Sequence, residues 1–233
     1  MPNDGKKLSS GKLIFSIFYP FLYLFLILLL SGDWLWLEGW LFGLWFLAMY
    51  ATIVLYLYRK DPELLAERFK LPDSENAKPW DKYLIYSVGF VFLIWFAVMP
   101  LDAKRFEWTK NFPVWLKVAG GLGLCLSFFF LVRSFTDNTF LSPLIRIQSE
   151  RNQRVVSTGV YGIVRHPMYL GAVLLFFGTS LLLGSKYGIA LSSVMTIFIV
   201  VRVRGEEKML LNELEGYVDY SKKVVYRLVP FIW

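Results

Sequence analysis

Cysteine and histidine are almost missing from this 233-residue sequence, which has only Cys125 and His166. A lone thiol cannot build a disulfide framework, and one thiol with one imidazole cannot build a structural zinc site. Charge is scarce too: Asp, Glu, Lys and Arg make up 18%, against about 25% in soluble domains. No long polar or low-complexity stretch occurs, which excludes a disordered chain. No G-x-G-x-x-G follows a strand and no G-x-S-x-G is present, so neither a Rossmann dinucleotide site nor a serine nucleophile elbow is expected.

What is there is apolar. Hydrophobic residues are 56% and aromatics 18%, and the mean hydropathy is +0.50. These values point to an integral membrane protein. A crossing helix needs about 20 mostly apolar residues. Six uncharged runs qualify as candidates: 13–32, 39–58, 83–101, 118–132, 167–185 and 187–201. The two short ones, 118–132 and 187–201, are extended by Lys117, Arg133, Lys186 and Arg202, whose stems can snorkel. Barrel strands would be about 10 residues long and alternating, whereas these runs are longer and apolar all round. Trp34, Trp36, Trp40, Trp80, Trp108 and Trp115 lie near the run ends, as an interfacial aromatic belt requires.

The expected fold is therefore all-α: a polytopic membrane protein of about six transmembrane helices. The last two runs are joined only by Gly184-Ser185-Lys186-Tyr187-Gly188 and predict a tight helical hairpin. A cytoplasmic C-terminal helix is expected after it. The first run exceeds the roughly 7–15 residues of a signal-peptide core and no A-x-A site follows, so it is expected to be retained. Residues 1–133 read as N-terminal transmembrane helices and 134–233 as the functional region of one integrated membrane domain.

Lys and Arg number twenty on the side holding both ends of the chain and five on the other. This asymmetry predicts cytoplasmic termini. The net charge of +7 then follows from topology and anionic lipid. A nucleic-acid partner is not expected, since no base-stacking aromatics interleave the basic residues. Compactness and short loops point to a prokaryotic cell membrane. In the 59–82 loop, residues 62–69 predict either a short interfacial helix or a solvated connector. Residues 134–166 form the longest polar stretch between two runs. Residues 202–223 predict an amphipathic helix, with Pro230 as a stop.

Two segments carry candidate chemistry. Tyr161 to Gly171 leads into the fifth run, and Pro167 suits a first helical turn. His166 then sits at the helix start, where free backbone N–H groups favour an anion, flanked by Tyr161 and Tyr169. The second segment is Arg202 to Leu210, with Arg202 and Glu206 at i, i+4 on one face and Glu207 toward Arg204. Taken singly, these read as a capped helix start and a solvated charged helix end. The hairpin brings them to one side, where they combine a helix N-terminus, an imidazole, aromatics, an arginine and two carboxylates.

Arg165-His166-Pro167-Met168-Tyr169-Leu170-Gly171, then Arg202, Glu206-Glu207 and Leu210, then Tyr217, Tyr220 and the closing Leu228 to Ile232 resemble the isoprenylcysteine carboxyl methyltransferase family. Phospholipid methyltransferases are related. The resemblance covers roughly residues 135–233. It implies a membrane methyltransferase using S-adenosyl-L-methionine. By position it implies a cofactor pocket of Gln148, Gln153, Val155, Val156, Tyr161, His166, Pro167, Met168, Tyr169 and Glu206, with Glu206 on the cofactor's ammonium. Position 153 is glutamine where some relatives have histidine. Arg202 is implied as a catalytic and substrate-binding residue facing the acceptor. Glu207 is the candidate catalytic base, with His166, if the acceptor is an amine; no metal is implied. A lipid or lipid-modified acceptor would enter from the bilayer, most naturally an isoprenylcysteine carboxylate. The alternatives are phospholipid amine N-methylation and an NADPH-dependent membrane sterol or enone reductase. A transporter is disfavoured because the six runs carry no charge.

Overall fold

The computed structural model describes residues 10–69 and 79–233. Lys6, Lys7, Lys70 and Lys78, which enter the charge count, lie outside the described residues. Among the described residues there are eight α-helices and no strand. The long helices are α1 (Ser10–Ser31), α2 (Leu37–Lys60), α4 (Pro79–Pro100, extended by a π turn, Leu101–Arg105), α5 (Val114–Asp137), α6 (Pro167–Leu183) and α7 (Lys186–Glu213). Short helices are α3 (Pro62–Glu67) and α8 (Tyr217–Lys223).

All six apolar runs fall in long helices. Four of these are long and apolar enough to cross a membrane: α2, α4 with its π turn, α5 and α7. The apolar part of α1, Phe18–Ser31, and α6 are shorter. Phe21, Phe25, Leu44, Leu55, Phe90, Leu93, Leu122, Leu126 and Ile197 are all exposed on the outer helix faces. Water would penalise so much apolar surface, whereas lipid does not.

Helix α6 is the central post, packed against α5 on one side and α7 on the other. Glycine sets the α5–α6 distance: a Cβ on Gly120 would stand 2.4 Å from the Leu182 nitrogen and 2.7 Å from the Gly178 oxygen. Gly120 and Gly123 thus form a packing face toward Gly178, as close approach of apolar helices demands, while a Cβ on Gly121 would meet nothing and Leu122 points outward. Helix α4 is tied to the hairpin by Trp95, whose Nε1 donates to Ser192 Oγ at 2.9 Å and Ser180 Oγ at 3.1 Å. The α6–α7 hairpin turns at Gly184, which takes φ +81°. Below this turn the buried Asp102 accepts from Thr109 N at 2.8 Å and Ser185 Oγ at 2.5 Å. These bonds pin α4 to the hairpin at the end away from the cavity described below.

Two expectations are corrected. Residues 202–223 are not one amphipathic helix. Helix α7 runs unbroken for 28 residues to Glu213, and Gly216 at φ +78° turns the chain into the separate α8. Residues 62–69 expose Pro62 and Glu63 but turn Leu64 and Leu65 inward rather than toward an interface or solvent. Asp61 accepts from Leu64 N at 3.0 Å to cap α3, and Leu64 and Leu65 are buried with Leu57 and Phe135. A six-residue helix is too short to persist alone, so this packing is what holds it.

Candidate functional site

At the end opposite the hairpin turn, loop 138–166, the start of α6, the end of α7 and α8 line a cavity that is partly open to solvent. Gln153, Val155, Val156, Tyr161, His166, Pro167, Met168, Tyr169, Arg202 and Glu206 all line it, although they come from four segments of the chain. Gln148 and Glu207 are not on its wall. Gln148 is fully buried and braces the loop: its Nε2 donates to Phe140 O and its Oε1 accepts from Arg151 at 2.9 Å. Gln153 takes part in the same brace, accepting from Gln148 N at 2.7 Å.

His166 is the N-cap of α6 and makes no side-chain cap bond; Pro167 carries no N–H and the N–H groups of Tyr169 and Leu170 donate to His166 O at 3.1 and 3.2 Å, which leaves the Met168 N–H of the first turn to the cavity. The His166 Nε2 is buried without a hydrogen-bond partner, 3.4 Å from Glu207 Oε1. One turn on, Tyr169 donates its hydroxyl to Glu206 Oε2 at 2.7 Å. Among the described residues, no cation lies within ion-pair distance of Glu206. Its carboxylate is therefore available to a positively charged ligand.

Arg202 does not pair with Glu206, as the i, i+4 spacing predicts. It turns to the fully buried Asp81, with Nε 3.0 Å from Oδ1 and Nη2 3.1 Å from Oδ2. It also donates to Pro143 O at 2.6 Å. The cause is burial: Asp81 needs a cation, and the start of α4 delivers it there as the Trp80 ring packs over Gly205. Glu207 likewise does not meet Arg204. It accepts from the buried Arg165 at 2.5 Å and from Arg227. Arg204 lies instead over the Trp233 ring.

Arg165 and Glu207 fasten the chain's last segment to the site. Arg165 N and His166 N donate to Tyr226 O and Arg227 O, both at 2.9 Å. Arg165 Nη1 donates to Val224 O at 2.7 Å and Val225 O at 3.0 Å. Tyr161 is aimed by the turn Gly159–Gly162. Asp137 accepts there from Val160 N at 3.0 Å, and a Cβ on Gly159 would fall on that carboxylate. Tyr220 donates to Tyr161 O at 2.7 Å. Burial pushes the hydroxyls of Tyr161, Tyr217 and Tyr220 well above their usual value, so all three stay neutral.

Sequence reasoning missed Asp81, Arg227 and the buried Glu67–Arg146 pair, which stand 2.8 Å apart. Arg146 lines the cavity. The available signal was an acid two residues into an apolar helix and charges inside a loop that otherwise carries buried leucines.

Residues 116–215 match the family described as phospholipid methyltransferase. The chain is 31% identical over 131 residues to protein-S-isoprenylcysteine O-methyltransferase B of Arabidopsis thaliana, a match over 55% of this chain and 63% of that protein. It is 37% identical over 97 residues to protein-S-isoprenylcysteine O-methyltransferase of Saccharomyces cerevisiae, over 39% of this chain and 38% of that one. The matches thus span less than two thirds of the length of these curated relatives. A solved structure of the eukaryotic intramembrane Ras methyltransferase ICMT, an isoprenylcysteine carboxyl methyltransferase, shares the fold. Its TM-score is 0.55 at 22% identity, covering 92% of this chain and 74% of that one.

Proposed function

We propose that this chain, which belongs with the isoprenylcysteine carboxyl methyltransferase family, is a membrane enzyme that methylates the carboxylate of an isoprenylcysteine-type lipidic acceptor. The observation that carries this reading is the unpaired Glu206 carboxylate, held by Tyr169 beside the uncapped start of α6 within one cavity. A zwitterionic amino-acid end needs an acid for its ammonium and N–H groups for its carboxylate. The residues present therefore fit S-adenosyl-L-methionine, which when bound supplies a methyl group on a cationic sulfur.

In this reading Glu206 holds the ammonium, and the first turn of α6 receives the carboxylate. Tyr161, Tyr217 and Tyr220 offer flat walls for a purine, and Val155, Val156 and Met168 exclude water. Arg202, kept in place by Asp81, adds positive charge on the acceptor side. A carboxylate acceptor is already ionised at neutral pH, so the residues need only orient it and keep water out. An amine acceptor would need a base. Glu207 is poorly suited to that role because Arg165 and Arg227 occupy its oxygens. The reading also places both termini and the cavity on the cytoplasmic side of a cell membrane, where the methyl donor is found.

The test uses donor labelled in its methyl group, with the protein in lipid. Transfer to S-farnesylcysteine giving a base-labile ester supports the proposal. Base-stable label on an ethanolamine lipid, with none on the farnesylcysteine, refutes it.

A further inference from the structure

Arg68, the residue that ends α3, is absent from every motif above. Its guanidinium lies over the Phe135 ring, with Cζ 5.2 Å from the centroid. Its Nη1 is buried and donates to nothing. Among the described residues, no carboxylate lies within ion-pair distance of it. Its neighbour Glu67 points to Arg146 and Ser142 instead, at 2.8 and 2.9 Å.

A desolvated cation held by no ion pair is costly to keep; the Glu67 charge offsets part of that cost, and a second cation adds to it. Arg202 lies close enough for its charge to act on Arg68, as does the Tyr169 hydroxyl. Burial first, and Arg202 second, bring the Arg68 guanidinium down to about 10. The two arginines differ in one respect. Arg202 is ion-paired with Asp81 and its Nη2 also donates to Pro143 O, although its Nε makes no hydrogen bond, while among the described residues Arg68 has no carboxylate in ion-pair reach and its Nη1 donates to nothing. The apolar cluster around Arg68, with Leu57, Leu64, Leu65 and Phe135, is continuous with the cavity through Met168 and Leu141, which belong to both. Arg68 is not itself on the cavity wall, but apolar side chains run from the cavity toward its guanidinium, which is within electrostatic reach of Tyr169.

We propose that Arg68 receives the acceptor's carboxylate and sets the preference for an anionic acceptor, with Arg202 as a supporting charge braced by Asp81. This rests on the methyl-transfer reading and moves the direct acceptor contact from Arg202 to a residue outside the sequence motifs. An arginine fork presents two parallel N–H groups to one carboxylate, which a carboxamide cannot match.

The experiment compares binding of S-farnesylcysteine and its carboxamide to the full chain in nanodiscs, with S-adenosylhomocysteine affinity measured in parallel. Wild-type protein should prefer the carboxylate by about tenfold to a hundredfold, as charge-assisted bonds imply. Arg68→Met should remove that preference by weakening the carboxylate alone, with S-adenosylhomocysteine affinity unchanged. Arg68→Lys should keep part of it. Equal weakening of both compounds by Arg68→Met, or of neither, overturns the assignment. If Arg68→Met fails to fold, an Arg68→Lys preference equal to wild type overturns it. Wild-type protein that binds S-adenosylhomocysteine but shows no carboxylate preference overturns this inference alone. Loss of S-adenosylhomocysteine binding by wild-type protein overturns the methyl-donor reading beneath it.

Discussion

Replacing Glu207 by glutamine separates two roles for the acid pair at the end of α7. The spacing makes Glu207 a candidate base, but its position makes it a fastener. It joins Arg165, whose side chain is 6% exposed, to Arg227, which is 41% exposed. Removing one partner of a buried ion pair costs about 3–5 kcal/mol. Only the Arg165 half is buried enough to count in full, and the exposed Arg227 half adds at most about 1 kcal/mol. Glutamine keeps the shape and one acceptor oxygen, so the lower end, about 3 kcal/mol, is expected. For a chain of this size that lowers the melting temperature by roughly 6–12 °C. Differential scanning fluorimetry in detergent reads the shift, with donor affinity and turnover measured on the same sample. Burial raises the Glu207 carboxyl, but His166, Arg165 and Arg227 outweigh it and hold the group well below its usual 4.5. Its stabilisation is therefore complete above pH 4.5 and is lost as the pH falls below it; Glu207→Gln should flatten that acid decline. A variant that melts like wild type while its kcat collapses would refute the reasoning and restore Glu207 as the base.

Other perturbations test the frame of the site. Gly120→Val places carbon against the backbone of α6 and should cost about 1–3 kcal/mol or more as overpacking, visible as a lower melting temperature and lower folded yield. Asp81→Asn leaves Arg202 short of charge. It should raise the KM for a carboxylate acceptor or lower kcat with S-adenosylhomocysteine affinity nearly intact, and an equal loss of both would argue that Asp81 supports the whole cavity instead.

The helical frame was legible because apolar length is a strong signal: each of the six runs is a helix, and Gly184 marks the hairpin turn. The cavity was legible at Tyr161, at His166 to Tyr169 and at Glu206, because a proline-started helix and a charged helix end face each other across that hairpin. Partner choice was not legible. Helical spacing offers Arg202 to Glu206 and Arg204 to Glu207. Burial overrides local spacing, since Asp81 and Arg165 arrive from other segments and their charges cannot stay unpaired. Residues 62–69 misled for the same reason. Their leucines match a membrane interface as well as an internal cluster, and only contact with Phe135 decides between them.

The most direct test of the account is calorimetric titration of the detergent-purified protein with S-adenosylhomocysteine, for wild type and Glu206→Gln, with NADPH titrated in parallel. Micromolar binding of S-adenosylhomocysteine that falls at least tenfold in the variant, whose melting temperature is unchanged, is the predicted result. NADPH binding without S-adenosylhomocysteine binding, or equal affinity in the two proteins, would contradict it.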